Sequence, residues 1–502
     1  MPSSSIASSD SQSSLLGSRT KIVATVGPAC RDRDTLKALV SAGVNVFRLN
    51  FSHGTHEDHS RALEAIDAVE AELGRPLGVL QDLGGPKIRL GALPSDELDC
   101  PVNARFALVA VPSESATEPR ELTCTYPDLA DDLRPGETIL FADGAVAMVV
   151  ETVTPGRAEL RVTLPGKLRS RQGINLPGTE LKIESLTPKD IADLEWTARY
   201  KDRIQFVGLS FVRSAADIDR LRGELERRDI HAAIVAKIEK PQAVRNLKTI
   251  IGATDAVMVA RGDLGVEMET AQVPAIQKRI IAECNRASVP VITATQMLTS
   301  MESSNRPTRA EATDVFNAVL DGTDAVMLSG ESAIGRYPVE AVATMRRICD
   351  EAEATRAQGI DGVEIAGRAR FGVTILPTIT TALVEAAVLV AQRIDAAMIL
   401  VATASGVTAR ALSRLRPTSP VLALATTPAV ARSLTLSWGV VPVTLADTPL
   451  VTKTEEADLQ FALDHLKREG LARSGQKIVL IRGYLPNDAD LADQSLLIRE
   501  IP

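Results

Sequence analysis

The sequence has no surplus of positive charge: 56 Lys and Arg stand against 64 Asp and Glu, a formal net charge of -8. A nucleic-acid binder normally presents a basic face, so that class of partner is set aside. No apolar run approaches the roughly 18 residues that a membrane span needs, so no membrane partner is expected either. The five cysteines, Cys30, Cys100, Cys124, Cys284 and Cys349, are odd in number, scattered and free of any CxxC pair. That spacing argues against a disulfide framework and a thiolate zinc site, and fits a reducing compartment. The stretch 1–18 is Ser-rich, without a basic start or an apolar core. It reads as a disordered tail rather than a signal peptide, and a cytoplasmic location is expected.

What is present is a repeated unit. The 502 residues, 45% of them hydrophobic, predict about three domains, each able to bury a core. From Lys21 onward a short β-branched run leads into a polar or glycine-containing loop and then an amphipathic helical stretch. The strand-like runs begin at Lys21 (KIVATVG), Asn45 (NVFRLNF), Leu77 (LGVLQDL) and Ile204 (IQFVGLSFV). Four more begin at Ala232 (AAIVAKIE), Asp255 (DAVMVARG), Val289 (VPVITATQ) and Asp324 (DAVMLSGE). Eight strand–helix units in series predict an α/β fold, a (β/α)8 TIM barrel, with an open doubly wound sheet as the alternative. After the third run the helical period disappears between about Ile88 and Thr187. Short alternating runs spaced by Pro-Gly turns replace it and predict an inserted small β-barrel. A helix is expected to resume at Pro188, with Thr187 as its N-cap. A further helix from Pro338 to about Arg356 leads to a loop near Gly359–Gly372. Strand-like runs at Ala396, Pro420, Val440 and Lys477 then predict a C-terminal α/β three-layer domain. The expected division is a tail at 1–18, the barrel at 19–87 and 188–357, the insert at 88–187 and the C-terminal domain at 358–502.

Barrels of this kind keep their chemistry at the C-terminal strand ends. There the sequence places Arg48, Asn50, Ser52 and His53 after the second strand, and Asp82, Lys87 and Arg89 after the third. Ser210 and Arg213 follow the fourth, Lys237 and Glu239 lie on the fifth, and Arg261, Gly262 and Asp263 close the sixth. Thr293, Thr295 and Gln296 end the seventh, and Ser329 and Glu331 the eighth. So many polar groups at one rim predict a catalyst. Lys237 and Glu239 are two apart and share the face toward the barrel axis; alone, the pair reads equally well as a structural ion pair. Gly262 and Asp263 open a helix whose N–H groups suit a carboxylate or phosphate, although an ordinary Asp cap on a glycine turn is the plainer reading. Glu239 and Asp263, from adjacent strands, supply oxygen ligands of the kind Mg2+ takes with substrate and water. Lys237 beside that ion suits phosphoryl transfer, and Arg48 offers a fork for phosphate oxygens. The run from His53 to His59 lacks the HExxH spacing, which favours His53 as a contact near nucleotide phosphates over a metal site.

The strings KIVATVGPA from Lys21, NVFRLNFSHGTHEDH from Asn45, GGPKIRLG from Gly84 and INLPG from Ile174 resemble the pyruvate kinase family. So do AKIEKPQAV from Ala236, MVARGDLGVE from Met258, TATQML from Thr293, RPTRAEATDVFNAVLDGTDAVMLSGE from Arg306 and YPVEAV from Tyr337. They occur in the family's order, and the resemblance covers nearly the whole chain past Thr20. It implies phosphoryl transfer from phosphoenolpyruvate to ADP, giving pyruvate and ATP, with Mg2+ or Mn2+ as cofactor and a homotetrameric assembly. It assigns Arg48 to the substrate phosphate, Lys237 to the transferring phosphoryl group and enolate oxygen, and Glu239 and Asp263 to the metal. Gly262, Asp263 and Thr295 would hold the substrate carboxylate, with proton delivery around Thr295, Ser329 and Glu331. Asn50, His53 and Arg89 would contact the nucleotide, and the insert would close over the site as a lid.

The chain departs from the family in three places. Members that need K+ resemble DTKGPEIRT where this chain reads DLGGPKIRL, Asp82 to Leu90. The Lys87 ammonium replaces a carboxylate beside the monovalent-cation pocket of Asn50, Ser52, Asp82 and the Leu83 carbonyl, so K+ is expected not to be required. Gln172 stands where the family often has a lysine near the nucleotide phosphates. Thr403, Ser405 and Thr408 resemble the family's sugar-phosphate loop, suited to an effector phosphate. Asp488, Asp490 and Asp493 in the later loop would repel a sugar bisphosphate, so weak or no activation by one is expected. Two other readings share the barrel: a divalent-metal aldolase or lyase acting on an enolate, and a catalytically silent regulatory homologue.

Overall fold

In a computed structural model of the chain, the described residues are 19–93, 95, 97–110, 120–179, 181–357, 378–444, 463–464, 466–468, 470–482 and 495–502. The expected tail at 1–18, the loop near Gly359–Gly372 and the acidic loop carrying Asp488, Asp490 and Asp493 lie outside them.

Each short β-branched run of the catalytic half is buried on both faces, which suits a parallel sheet covered by helices. Strands β1 (Lys21–Thr25), β2 (Val46–Asn50) and β3 (Gly78–Asp82) come first. The insert follows with β4 (Glu97–Cys100), β5 (Arg105–Val109), β6 (Glu121–Leu122), β7 (Thr138–Phe141), β8 (Val146–Thr154), β9 (Arg157–Leu164), β10 (Gly166–Arg169) and β11 (Ile174–Asn175). Then come β12 (Phe206–Leu209), β13 (Ala233–Ile238), β14 (Ala256–Ala260), β15 (Val291–Ala294) and β16 (Ala325–Leu328). These five and β1 to β3 close a parallel barrel in the order β1-β16-β15-β14-β13-β12-β3-β2. All eight expected runs supply its staves.

Alternation along the strands decides what each column of the barrel interior carries. Val23, Val46, Leu80, Phe206, Val235, Met258, Ile292 and Met327 pack inside it. Continuing by twos, Val46 leads to Arg48 and Asn50, Leu80 to Asp82, and Val235 to Lys237 and Glu239. The apolar plug thus changes to charge at the C-terminal rim.

The insert is all-β, with a six-stranded sheet ordered β11-β7-β8-β9-β5-β6 and a two-stranded sheet of β10 and β4. Phe106, Leu108, Ile139, Phe141, Met148, Leu160 and Val162 form its separate core. Among the described residues no strand pairing closes these sheets into a ring. The chain re-enters the barrel through the helix Pro188–Arg199, where Thr187 and Asp190 make a reciprocal capping box with Pro188 in the first turn.

In the C-terminal half, β17 (Met398–Thr403), β18 (Val421–Ala425), β19 (Val440–Thr444), β20 (Lys477–Arg482) and β21 (Leu496–Glu500) are ordered β19-β18-β17-β20-β21. Only β21 runs antiparallel, and its short run was not among the strands read from sequence. This unit seals the N-terminal end of the barrel, where Leu436 joins the interior cluster. Across the same junction Arg416 pairs with Asp324 at 2.8 Å and the Lys21 Nζ donates to the Val440 carbonyl at 2.7 Å. No helix among the described residues is long and apolar enough to cross a membrane.

Candidate active site

Lys237 stands at the centre of the rim. Its ammonium lies 2.8 Å from Glu239 Oε1, 3.2 Å from Asp82 Oδ1 and 2.7 Å from Ser210 Oγ. Burial alone would lower its pKa, yet Asp82 and Glu239 outweigh burial and hold it above the ordinary lysine value. The ammonium therefore stays charged. Burial pushes the Asp82 carboxyl up, but Lys237 and Arg48 reverse this and leave it below its usual range. Glu239 goes the other way: burial, reinforced by the Asp263 charge, raises it despite Lys237. Asp263 thus acts on both Lys237 and Glu239, which brings the lysine and the two acids into one electrostatic group at the rim.

Two carboxylates and a buried lysine are what a hard divalent cation and an anionic substrate need from a protein. Glu239 keeps its second oxygen on the Phe211 N–H at 2.8 Å, which fixes the carboxylate plane. No group of three or more His, Cys, Asp or Glu able to hold a metal occurs among the described residues. The donor set fits an ion that completes its shell with substrate and water, not a closed structural site.

Arg48 donates through Nε to Asp82 Oδ2 at 2.6 Å and through an Nη to Thr25 Oγ1 at 3.1 Å. Asp82, which the sequence suggested only as part of a cation pocket, is therefore the shared counter-ion of Arg48 and Lys237. Thr25 was not anticipated; its register opposite Arg48 on the neighbouring strand is the signal that identifies it.

Thr295 has φ +67°, a left-handed conformation that a β-branched residue rarely adopts. Two bonds hold it there: its Oγ1 accepts from the Gly262 N–H at 2.7 Å, and its carbonyl accepts from Arg261 at 2.7 Å. The Gly262 N–H is thus occupied by Thr295. Asp263 N–H, in the first turn of the helix Arg261–Glu267, remains without an intrahelical acceptor.

Some rim residues do not face the site. Arg261 is only 8% exposed and spreads its guanidinium over Asp314 at 2.7 Å, the Thr295 carbonyl and the Met297 sulfur. It supports the seventh strand's loop instead of presenting charge. Glu331 is 2% exposed, with one oxygen on the Leu298 N–H at 3.0 Å and the other on the Ser329 N–H at 2.8 Å. It orders the backbone around Ser329 and is not placed as an exposed acid.

On the other side, Arg89 and Lys87 lie near His53 and, after burial, are the main causes that lower its pKa, with Arg48 adding to them. This is a cationic edge suited to phosphates. Asn50 and Asp82 are paired neighbours on β2 and β3; Asn50 Oδ1 accepts from the Ser52 N–H at 3.2 Å, and the Leu83 carbonyl accepts from Ser210 Oγ at 2.8 Å. Lys87 is exposed, its Cε passing close to Gly173 of the insert. Gln172 spends its side-chain oxygen on the Arg169 N–H at 2.7 Å, closing a turn. Thr403, Ser405 and Thr408 are far along the chain in the C-terminal unit, where Thr403 Oγ1 accepts from the Gly406 N–H at 2.8 Å. They form no part of the barrel rim.

Comparison with known proteins matches residues 17–342 to the pyruvate kinase barrel domain and residues 381–493 to the pyruvate kinase alpha/beta domain. A pyruvate kinase 2 of Synechocystis sp. is 41% identical over 96% of this chain and 79% of its own length. A pyruvate kinase of Geobacillus stearothermophilus is 41% identical over 93% of this chain and 77% of its own. The crystal structure of a pyruvate kinase from Cryptosporidium parvum superposes with a TM-score of 0.86 at 32% identity, covering 97% of each chain.

Proposed function

This chain belongs to the pyruvate kinase family and is a phosphotransferase, and from that premise we propose that it transfers the phosphoryl group of phosphoenolpyruvate to ADP, forming pyruvate and ATP. The observation that carries the reading is the convergence of Lys237, Glu239 and Asp263 at one barrel rim. Glu239 and Asp263 would hold Mg2+ or Mn2+, which when bound neutralises substrate oxygens. Arg48, braced by Asp82 and Thr25, would bind the phosphate being transferred. The Lys237 ammonium would stabilise charge on the phosphoryl group and then on the enolate oxygen. Thr295 and the Asp263 N–H would orient the substrate carboxylate, while the hydroxyls of Thr295 and Ser329 would deliver the proton to the enolate carbon. Glu331 supports this step by ordering Ser329. Asn50, His53 and Arg89 would meet the nucleotide phosphates under the inserted domain acting as a lid.

The Lys87 charge, in the loop that follows Asp82 and near His53, supports activity without K+. Thr403, Ser405 and Thr408 would accept an effector phosphate, with fructose 1,6-bisphosphate a poor activator. A cytoplasmic homotetramer is the expected working form. The test is a coupled assay for pyruvate from phosphoenolpyruvate with Mg2+, with and without ADP. Pyruvate only when ADP is present supports the reading; pyruvate without ADP points to a lyase, and none at all sinks it.

A further inference from the structure

The last strand of the inserted domain is β11, and Asn175 at its end is 8% exposed. Its Nδ2 lies 3.4 Å from Oε1 of Glu267, an oxygen that also takes the Lys240 ammonium at 2.5 Å. Glu267 is the last residue of the helix Arg261–Glu267, so it stands one turn beyond Asp263 on the same rigid element. Lys240 directly follows Glu239. Glu267, continuous with Asp263, thus touches the insert through Asn175, and Lys240, continuous with Glu239, holds that Glu267 oxygen in place.

The seam is also short of bonds. Asn175 Oδ1, Glu267 Oε2, Gln242 Oε1, Thr179 Oγ1 and Ser185 Oγ are buried without a hydrogen-bond partner among the described residues. Three of these residues, Thr179, Ser185 and Gln242, line with Lys240, Phe211 and Arg213 a narrow cleft of about 40 Å³ between insert and barrel. Buried polar atoms are normally paired, so their gathering at one joint suits a joint whose partners change as it moves. The Asn175–Glu267 contact, at 3.4 Å, is longer than a well-formed N–H···O bond, and a small displacement of the insert shortens it.

We infer that Asn175, Glu267 and Lys240 are positioning residues that latch the inserted domain closed when the metal and substrate fix Glu239 and Asp263. The inference rests on the phosphoryl-transfer reading above. Closure then follows metal and substrate binding because Glu267 moves with Asp263, and Lys240 with Glu239.

Asn175→Ala in the full chain tests this, with Asn175→Gln as the conservative partner that keeps an amide donor. Hydrogen exchange across residues 174–186 is compared with and without Mg2+ plus oxalate, a small dianion that chelates the metal as the enolate would. The unaltered protein should gain protection there on adding Mg2+ and oxalate, and Asn175→Ala should not. Its kcat should fall about tenfold with KM for phosphoenolpyruvate within about twofold, and Asn175→Gln should recover part of both. Unchanged protection and kcat in Asn175→Ala, or equal losses in the two variants, would overturn the latch. Hydrogen exchange needs no turnover, so an unaltered protein that showed the protection yet made no pyruvate would refute the proposed reaction and leave the latch standing.

Discussion

The ammonium of Lys237 separates two buried carboxylates, Asp82 and Glu239, that are 1% and 2% exposed. Lys237→Met removes the group that meets developing charge, so phosphoryl transfer should fall by roughly a thousandfold or more. It also leaves buried charge unpaired, which should cost about 3–5 kcal/mol in a denaturant titration. Added Mg2+ should return part of that stability, because a cation between the acids replaces the lost one. Retained activity in the variant would remove the central residue of the proposal. Lys87 offers a second test: Lys87→Glu exchanges a fixed positive charge for a negative one in the loop that follows Asp82. The unaltered protein should change less than about twofold when KCl replaces another salt at constant ionic strength, whereas the variant should come to depend on K+. At this scale, identities and spacings showed which side chains stand at the rim. They did not show which way each one turns. Arg261 and Glu331 read as rim charges, yet packing directs both into backbone and neighbouring groups.

Among the elements, the helix Pro188–Arg199 shows where local reading ends. Thr187 as cap and Pro188 in the first turn were legible because capping joins residues only three apart. Asp190 closes that box with Oδ2, and its Oδ1 accepts from the Gly85 N–H at 3.1 Å, in the loop that leads into the insert. Gly85 has φ +61°, and a Cβ there would come within 2.9 Å of Phe211 and Ser210, so a glycine is required at the turn. Thr187→Ala should therefore cost about 1 kcal/mol, the usual value of a lost cap. Asp190→Ala should cost more, about 2–3 kcal/mol, since it removes the cap partner and strands the Gly85 N–H as well. Denaturant midpoints of the two variants decide it; equal losses would mean that the Gly85 bond contributes nothing. The short strand β21 marks the opposite limit. Its run is weakly patterned, and only pairing with β20 makes it a strand.

For the molecule as a whole, the barrel and the C-terminal unit meet over Lys21, which is 3% exposed. Burial, with Arg75 and Arg346 adding repulsion and Glu353 opposing, pushes its pKa down to about 7. An unfolded lysine titrates near 10.4, so between about pH 7 and 10 the unfolded chain holds a proton that the folded one has released. Stability must then rise with pH across that window and be lowest below it, where the junction carries a buried ammonium. Lys21→Met should be more stable than the unaltered protein at pH 6, by at most about 4–5 kcal/mol, and keep less than half of that advantage at pH 9. At pH 9 the neutral amine still donates to the Val440 carbonyl, a bond the variant lacks. A melting difference that is flat with pH would refute this account.

Strand periodicity, the eight-fold recurrence, the interruption after β3 and the polar character of the rim are all written within a few residues of one another, because alternation and capping act locally. Charge neutralisation is not local. Arg48 with Asp82, Asp82 with Lys237, and Asn175 with Glu267 join positions that only barrel closure and the insert's return bring within bonding distance. Coulomb and hydrogen-bond energies depend on separations of a few ångströms, which no spacing along the chain specifies, so the partners were decided by the fold.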